Sequence, residues 1–175
     1  MRFELGHPTQ TDWSIPNSVV PLILLVGLPG SGKSSLAASL VRECPLYRLI
    51  STDTIRLHLF GDEAIQGPWL KVWRTVSSQF QQTAHQIATG HISAAIYDAT
   101  NAVRRERRRV IALAHAQGFT DITVLWVNTA LAVCLQRNQE RDRQVPETVI
   151  LRMHRCLMGA PPSVSEGCDR VFVLY

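Results

Sequence analysis

The chain has 175 residues, 46% of them hydrophobic and 18% charged. That balance excludes a disordered chain, and the length suits one core burying about 70% of the unfolded surface. No continuous apolar run approaches the ~18 to 20 residues that a membrane span requires, and the formal net charge of +4 suits polyanions such as nucleotides or nucleic acid. Cys44, Cys134, Cys156 and Cys168 are scattered, with no Cys-x-x-Cys pair and no metal-like spacing. A reducing, cytoplasmic setting fits that usage.

Residues 1–18 carry Gly6, Pro8 and Pro16 without periodicity and do not follow the secretory-signal pattern. They read as an irregular arm with Trp13 as its candidate anchor. A single domain is expected over 19–175. Its first element is a strand at 19–26, nearly continuously apolar, as a central parallel strand covered on both faces must be. A helix at 33–43 stops before Pro45. A short strand at 46–50 leads into Ser51, Thr52 and Asp53, the hydroxyl and carboxylate chemistry that starts a helix. Pro68 opens a long helix over 69–89, whose stripe of Trp69, Trp73, Val76, Phe80 and Ile87 reads as core, with the two tryptophans able to border a pocket. A third strand at 92–97 ends in Asp98, Ala99, Thr100 and Asn101. A helix at 103–117, a strand at 120–127 and a helix at 129–138 follow. The charged loop 139–145 precedes Pro146, placed at the first position of a helix to 158. The last strand is 170–175. Strands alternating with helices predict an α/β three-layer sandwich, a mostly parallel five-stranded sheet with helices on both faces.

The chemistry centres on Gly27, Leu28, Pro29, Gly30, Ser31, Gly32, Lys33 and Ser34, the pattern G-x-x-x-x-G-K-[ST] between a strand and a helix. A phosphate chain must touch peptide N–H groups directly, and the glycines allow that approach. The N–H groups then form an anion nest at a helix N-terminus. Lys33 supplies a point charge to the β- and γ-phosphates, Ser34 a hydroxyl for Mg²⁺, and Ser35 continues the nucleotide-binding turn. In parallel sheets ligands lie at the carboxyl ends of strands, so this loop, Asp53 and Asp98 should converge. Asp53, with Arg56 one helical turn on, is a candidate base that orients an acceptor hydroxyl, and Arg56 a candidate clamp for an acceptor phosphate. Asp98 either binds Mg²⁺ or holds the acceptor, as Thr100 could; Thr100 and Asn101 also read as helix caps. Arg104, Arg105, Arg107, Arg108 and Arg109 read as a solvated basic face, with nucleic-acid backbone contact as the sharper alternative. Arg137, Arg141 and Arg143 fall where a lid over 137–145 would close on a triphosphate.

With these residues in place, positions 19–162 resemble the P-loop kinases grouped with phage and bacterial polynucleotide 5′-hydroxyl kinases and with zeta-toxin-like small-molecule kinases. The likeness rests on the phosphate loop, on Ser51-Thr52-Asp53-Thr54-Ile55-Arg56, on Asp98-Ala99-Thr100-Asn101, and on Gln136-Arg137-Asn138-Gln139-Glu140-Arg141 running into 145–153. It implies that Asp53 is the general base, Arg56 the arginine at the acceptor, Arg141 the lid arginine, Arg137 a neighbour of the nucleotide and Asp98 an acid at the acceptor end. Thr54 departs from polynucleotide kinases, which often have a second acidic residue there. The expectation is an ATP- and Mg²⁺-dependent kinase. Its favoured acceptor is a nucleic-acid 5′-hydroxyl; a nucleoside, sugar or metabolite is the alternative, and an ATP-driven switch is the reading from another class.

Overall fold

A computed structural model describes residues 19–63, 65 and 67–175; the expected arm at 1–18, with Trp13, lies outside the described residues. Strand β1, Pro21–Val26, is buried along most of its length, as its unbroken apolar sequence requires. It pairs in parallel with β3, Ala94–Asp98, on one side and β4, Asp121–Val127, on the other. Beyond them lie β2, Tyr47–Ser51, and β5, Arg170–Leu174, in the order β2-β3-β1-β4-β5. All five strands are parallel. The winding reverses direction at β1, so the crevice for a ligand opens beyond its carboxyl end. Ser51 is in register with Asp98, and Val26 with Trp126.

Period-two alternation divides the strands between two apolar layers. Leu22, Leu24, Val26, Tyr97 and Val124 join the larger core with Val76 and Phe80 of α3, Trp69–Ala88, and Val110, Ile111 and Ala114 of α4, Arg104–Ala116. Leu25 and Ile96 face the opposite way, against Ala37 of α1, Lys33–Glu43. Helices therefore lie on both faces of the sheet. The Phe80 ring meets Tyr97 and Phe119 edge-on, at 5.3 and 5.4 Å, the orientation that aromatic quadrupoles favour. No helix among the described residues is long and apolar enough to cross a membrane.

Several expectations are corrected in phase. The buried stripe of α3 is Val72, Val76, Phe80, Thr83, Ala84 and Ile87, so Trp69 falls at its edge, 45% exposed. Helix α5 is Leu131–Gln139 and starts after Thr129, whose hydroxyl instead donates to the Ser31 carbonyl at 2.8 Å. Pro146 is the N-cap of α6, Glu147–Gly159, and not its first helical residue. Val103, not Thr100 or Asn101, occupies the N-cap of α4.

The basic run of α4 is not one solvated face. Arg107 is fully buried and grips Glu166, in a 3-10 turn at Val164–Glu166, through Nε and Nη2 at 2.7 and 2.6 Å. It also donates to the carbonyls of Ala102 and Ala160, at 3.0 and 2.7 Å. This bidentate pair satisfies most of the guanidinium fork, which a buried charge demands. Arg104 lies 3.8 Å from the same Glu166, while Arg105 and Arg109 pair with Glu106.

Candidate functional site

Strand β1 delivers the chain into the glycine-rich loop at the switch point of the sheet. Gly30 has φ +78°, and a Cβ there would lie 2.5 Å from the Cys134 carbonyl oxygen. The loop is thus seated on α5 as closely as a peptide allows. Gly32 is the N-cap of α1 with φ +97° and no side-chain cap. The N–H groups of that first turn are left to a ligand.

Lys33 is 7% exposed, and its ammonium donates to the Leu28 carbonyl at 2.7 Å and to Ser31 Oγ at 3.4 Å. Burial lowers its pKa to about 8, against the pull of Asp98, which raises it. A buried ammonium held by neutral oxygens suits an incoming anion. The Ser34 hydroxyl donates to Asp98 Oδ2 at 2.7 Å, joining the helix start to the end of β3. A hydroxyl and a carboxylate together fit Mg²⁺, which takes one or two protein oxygens and leaves the rest to phosphate and water. No cluster of three or more His, Cys, Asp or Glu able to hold a metal occurs among the described residues.

Two bonds stitch the end of β3 to β1. Gly27 N–H donates to the Thr100 carbonyl at 3.1 Å, and Asn101 Nδ2 to the Leu25 carbonyl at 2.7 Å. Asn101 sits at φ +50°, an angle that Asn tolerates better than most residues. Its side chain therefore donates to the neighbouring strand's carbonyl, where an N-cap would have accepted from a helix N–H.

Across the crevice, β2 runs into α2, Thr52–Phe60. Ser51 is the N-cap, its Oγ accepting from Thr54 N–H, which leaves the Asp53 carboxylate free of capping. Arg56 Nη1 donates to Asp53 Oδ1 at 2.9 Å, and Arg143 Nη1 stands 3.5 Å from both Asp53 Oδ2 and Glu63 Oε1. Arg143, expected with Arg137 and Arg141 to close on a triphosphate, instead links its loop to Asp53 and Glu63. Nothing local marks it, because Glu63 lies on a different element.

A cavity of about 1280 Å³ joins these parts. Pro29, Gly30, Gly32, Lys33, Ser34, Ser35, Asp53, Arg56, Asp98, Thr100, Arg137 and Arg141 all line it, as do Trp69, Trp73 and Arg143. Gly27, Leu28 and Ser31, also in the loop, do not line the cavity and shape the loop through the contacts given above. Arg137 Nη1 reaches the Gly30 carbonyl at 3.5 Å, and Arg141 is exposed at the rim. The loop that carries Arg141 and Arg143 is closed at its base by Asn138, which exchanges two bonds of 2.9 Å with the Val145 backbone. Cys134 is buried, which pushes its thiol pKa up, and it does not line this cavity.

A glycine-rich loop with a buried lysine, set where a parallel sheet reverses its winding, defines a P-loop protein of kinase-like fold. Residues 22–159 match the model of the AAA domain family, and the chain belongs to that family. Among solved structures it is similar to one of the Pnkp1/Rnl/Hen1 RNA repair complex, with a TM-score of 0.67 and 19% identity over 89% of this chain and 48% of that one. It is similar to a fungal RNA kinase, with a TM-score of 0.60 and 14% identity over 90% of this chain and 38% of the other. The chain thus spans about half or less of those two. Kti12 of Chaetomium thermophilum, in complex with ADP-AlF3, gives a TM-score of 0.58 and 20% identity over 88% of each chain. At these identities the likeness shows the fold alone.

Proposed function

We propose that the protein is an ATP- and Mg²⁺-dependent phosphotransferase that moves the γ-phosphoryl group to a hydroxyl acceptor. The carrying observation is that Asp53, in the first turn of α2 just past the end of β2, shares one cavity with Lys33 and the Ser34–Asp98 pair. Donor and acceptor machinery thus face each other across a single crevice.

In this reading the peptide N–H groups at the start of α1 and Lys33 bind and orient the triphosphate. Bound Mg²⁺, held from Ser34 and Asp98, supplies charge neutralisation on the phosphates. Asp53 orients the acceptor hydroxyl and takes its proton as the new oxygen–phosphorus bond forms; the bond to the bridging oxygen breaks and ADP leaves. Arg56 holds the acceptor, Thr100 borders it, and Arg137 and Arg141 meet charge on the donor side. The likeness to RNA-repair and RNA-kinase structures supports a nucleic-acid 5′-hydroxyl as acceptor, with a nucleoside or small metabolite next. The reducing, cytoplasmic setting read from the cysteines belongs to the same proposal.

The test is γ-labelled ATP with Mg²⁺ offered to 5′-hydroxyl DNA, 5′-hydroxyl RNA and a metabolite panel, with wild type, Lys33→Ala and Asp53→Ala. Label transfer should fall by about 10²- to 10⁴-fold in Asp53→Ala, the usual contribution of a positioned base. A partner-dependent ATPase is the second reading, favoured by the engagement of Asp53 by two arginines, which leaves it paired before any acceptor arrives. Hydrolysis that survives Asp53→Ala, with no acceptor labelled, would decide for it.

A further inference from the structure

Arg107 is bonded more completely than its ion pair requires. A guanidinium carries five N–H donors, and here Nε and Nη2 donate to the two carboxylate oxygens of Glu166, Nη2 also to the Ala160 carbonyl, and Nη1 to the carbonyls of Ala102 and Asn101, at 3.0 and 3.3 Å. Nothing on the fork is left over. A buried ion pair is seldom more stable than an apolar pair of the same volume, so the bonds to carbonyls call for another reason. Those carbonyls belong to two segments that flank the cavity. Ala160 is the C-cap of α6, whose Val149, Arg152, Met153 and Cys156 line it. Asn101 and Ala102 close the turn that begins at Asp98. Within that turn Asn101 is held at φ +50°, its side chain donates to the Leu25 carbonyl, and the Thr100 carbonyl accepts from Gly27 N–H. A non-glycine residue keeps such an angle only where its surroundings over-determine it. Arg107 supplies that constraint from α4, and β1 supplies the rest.

We infer that Arg107 is a positioning residue for the phosphate site: by holding the turn after β3 at two successive carbonyls, it fixes the Asp98 carboxylate against Ser34. Glu166 aligns the fork that does so. Without the fork Asn101 is free to relax to an ordinary angle, and the turn that follows Asp98 loses its support from α4. The 2.7 Å bond between Ser34 and Asp98 has the most to lose. Lys33 and the glycine-rich loop are secured separately, by the Leu28 carbonyl and by the seat of Gly30 on Cys134. Arg107 therefore acts on the carboxylate side of the site and leaves the lysine side in place.

This inference rests on the proposed function only for assigning Ser34 and Asp98 to bound Mg²⁺, so its test reads nucleotide binding as well as transfer. Calorimetry measures the affinity for β,γ-imido-ATP in EDTA and in Mg²⁺, the ratio being the gain from the metal. The double replacement Arg107→Met with Glu166→Leu fills the same space without the carbonyl bonds. It should keep the metal-free affinity and lose the gain, with kcat down by about 10- to 100-fold, the usual cost of removing a partner behind a metal ligand, and acceptor KM unmoved. Glu166→Gln, whose amide oxygen still accepts from Arg107, should lose stability and keep the gain. A purely structural Arg107 gives the reverse pattern, activity following stability in both variants. Persistence of the gain in the double variant overturns the inference, as does its loss in Glu166→Gln or its absence from wild type. Where the double variant does not fold, hydrogen exchange of wild type decides: the Gly27 amide should exchange as slowly as the buried amides of β1, and faster exchange overturns the positioning role. A gain lost in the double variant, with no acceptor labelled by wild type, keeps that role and sinks the kinase reading. Label transfer by a double variant whose gain is intact does the opposite.

Discussion

Lys33 makes nucleotide binding a proton-linked event. Burial lowers its pKa to about 8 from the ordinary 10.5, a depression worth about 3 kcal/mol against the charged form. At pH 9 only about a tenth of the free protein carries the ammonium, while at pH 7 about nine-tenths does. A triphosphate in contact with the ammonium removes the penalty and returns the pKa to 10.5 or above. Binding must therefore take up about 0.9 proton per ATP at pH 9 and about 0.1 at pH 7, and the apparent Kd should weaken about tenfold between them. Calorimetry of Mg·ATP binding at pH 9, in buffers of different ionisation enthalpy, reads the uptake as a slope; phosphate groups that ionise near pH 6 contribute nothing there. Lys33→Arg, charged throughout, should abolish the uptake. A slope near zero in wild type, or one that persists in Lys33→Arg, would refute the reasoning.

Two further outcomes concern the scaffold and the loop. Arg107→Ala strands Glu166 in a buried site and should cost about 3 to 5 kcal/mol in urea unfolding, whereas the double replacement Arg107→Met with Glu166→Leu should recover most of it. Arg143→Gln should move the same unfolding midpoint by less than about 1 kcal/mol, because both its partners are about half exposed. It should alter kcat for transfer and leave the ATP Kd in place, since Asp53 and Glu63 lie on the acceptor side.

The convergence of the phosphate loop, Asp53 and Asp98 was legible because it follows from chain order alone: in a parallel sheet three strand ends must open on one crevice. Leu22 to Val26 announced a central strand by lacking any polar face. What stayed hidden were pairings between distant elements. Arg107 looked solvated because it sits in a charged run with four other arginines, yet Glu166, 59 residues on, takes it into the core. Asn101 looked like a cap because caps are local, and its partner Leu25 is 76 residues away. The α3 stripe was out of phase at its start because a tryptophan fits either a core or a rim, and only the packing of Val72 decides which. Arg143 could not be told from Arg141 without the position of Glu63.

The Asn138–Val145 closure sets a limit on reach. Its two bonds pin together residues seven positions apart, and seven Cα steps of 3.8 Å permit a closed excursion of no more than roughly 13 Å. Arg141 and Arg143 ride on a loop tethered at its base. Inserting residues between 139 and 144 lengthens the tether and changes how far the guanidinium groups extend, while the bonds that anchor it to α5 stay as they are.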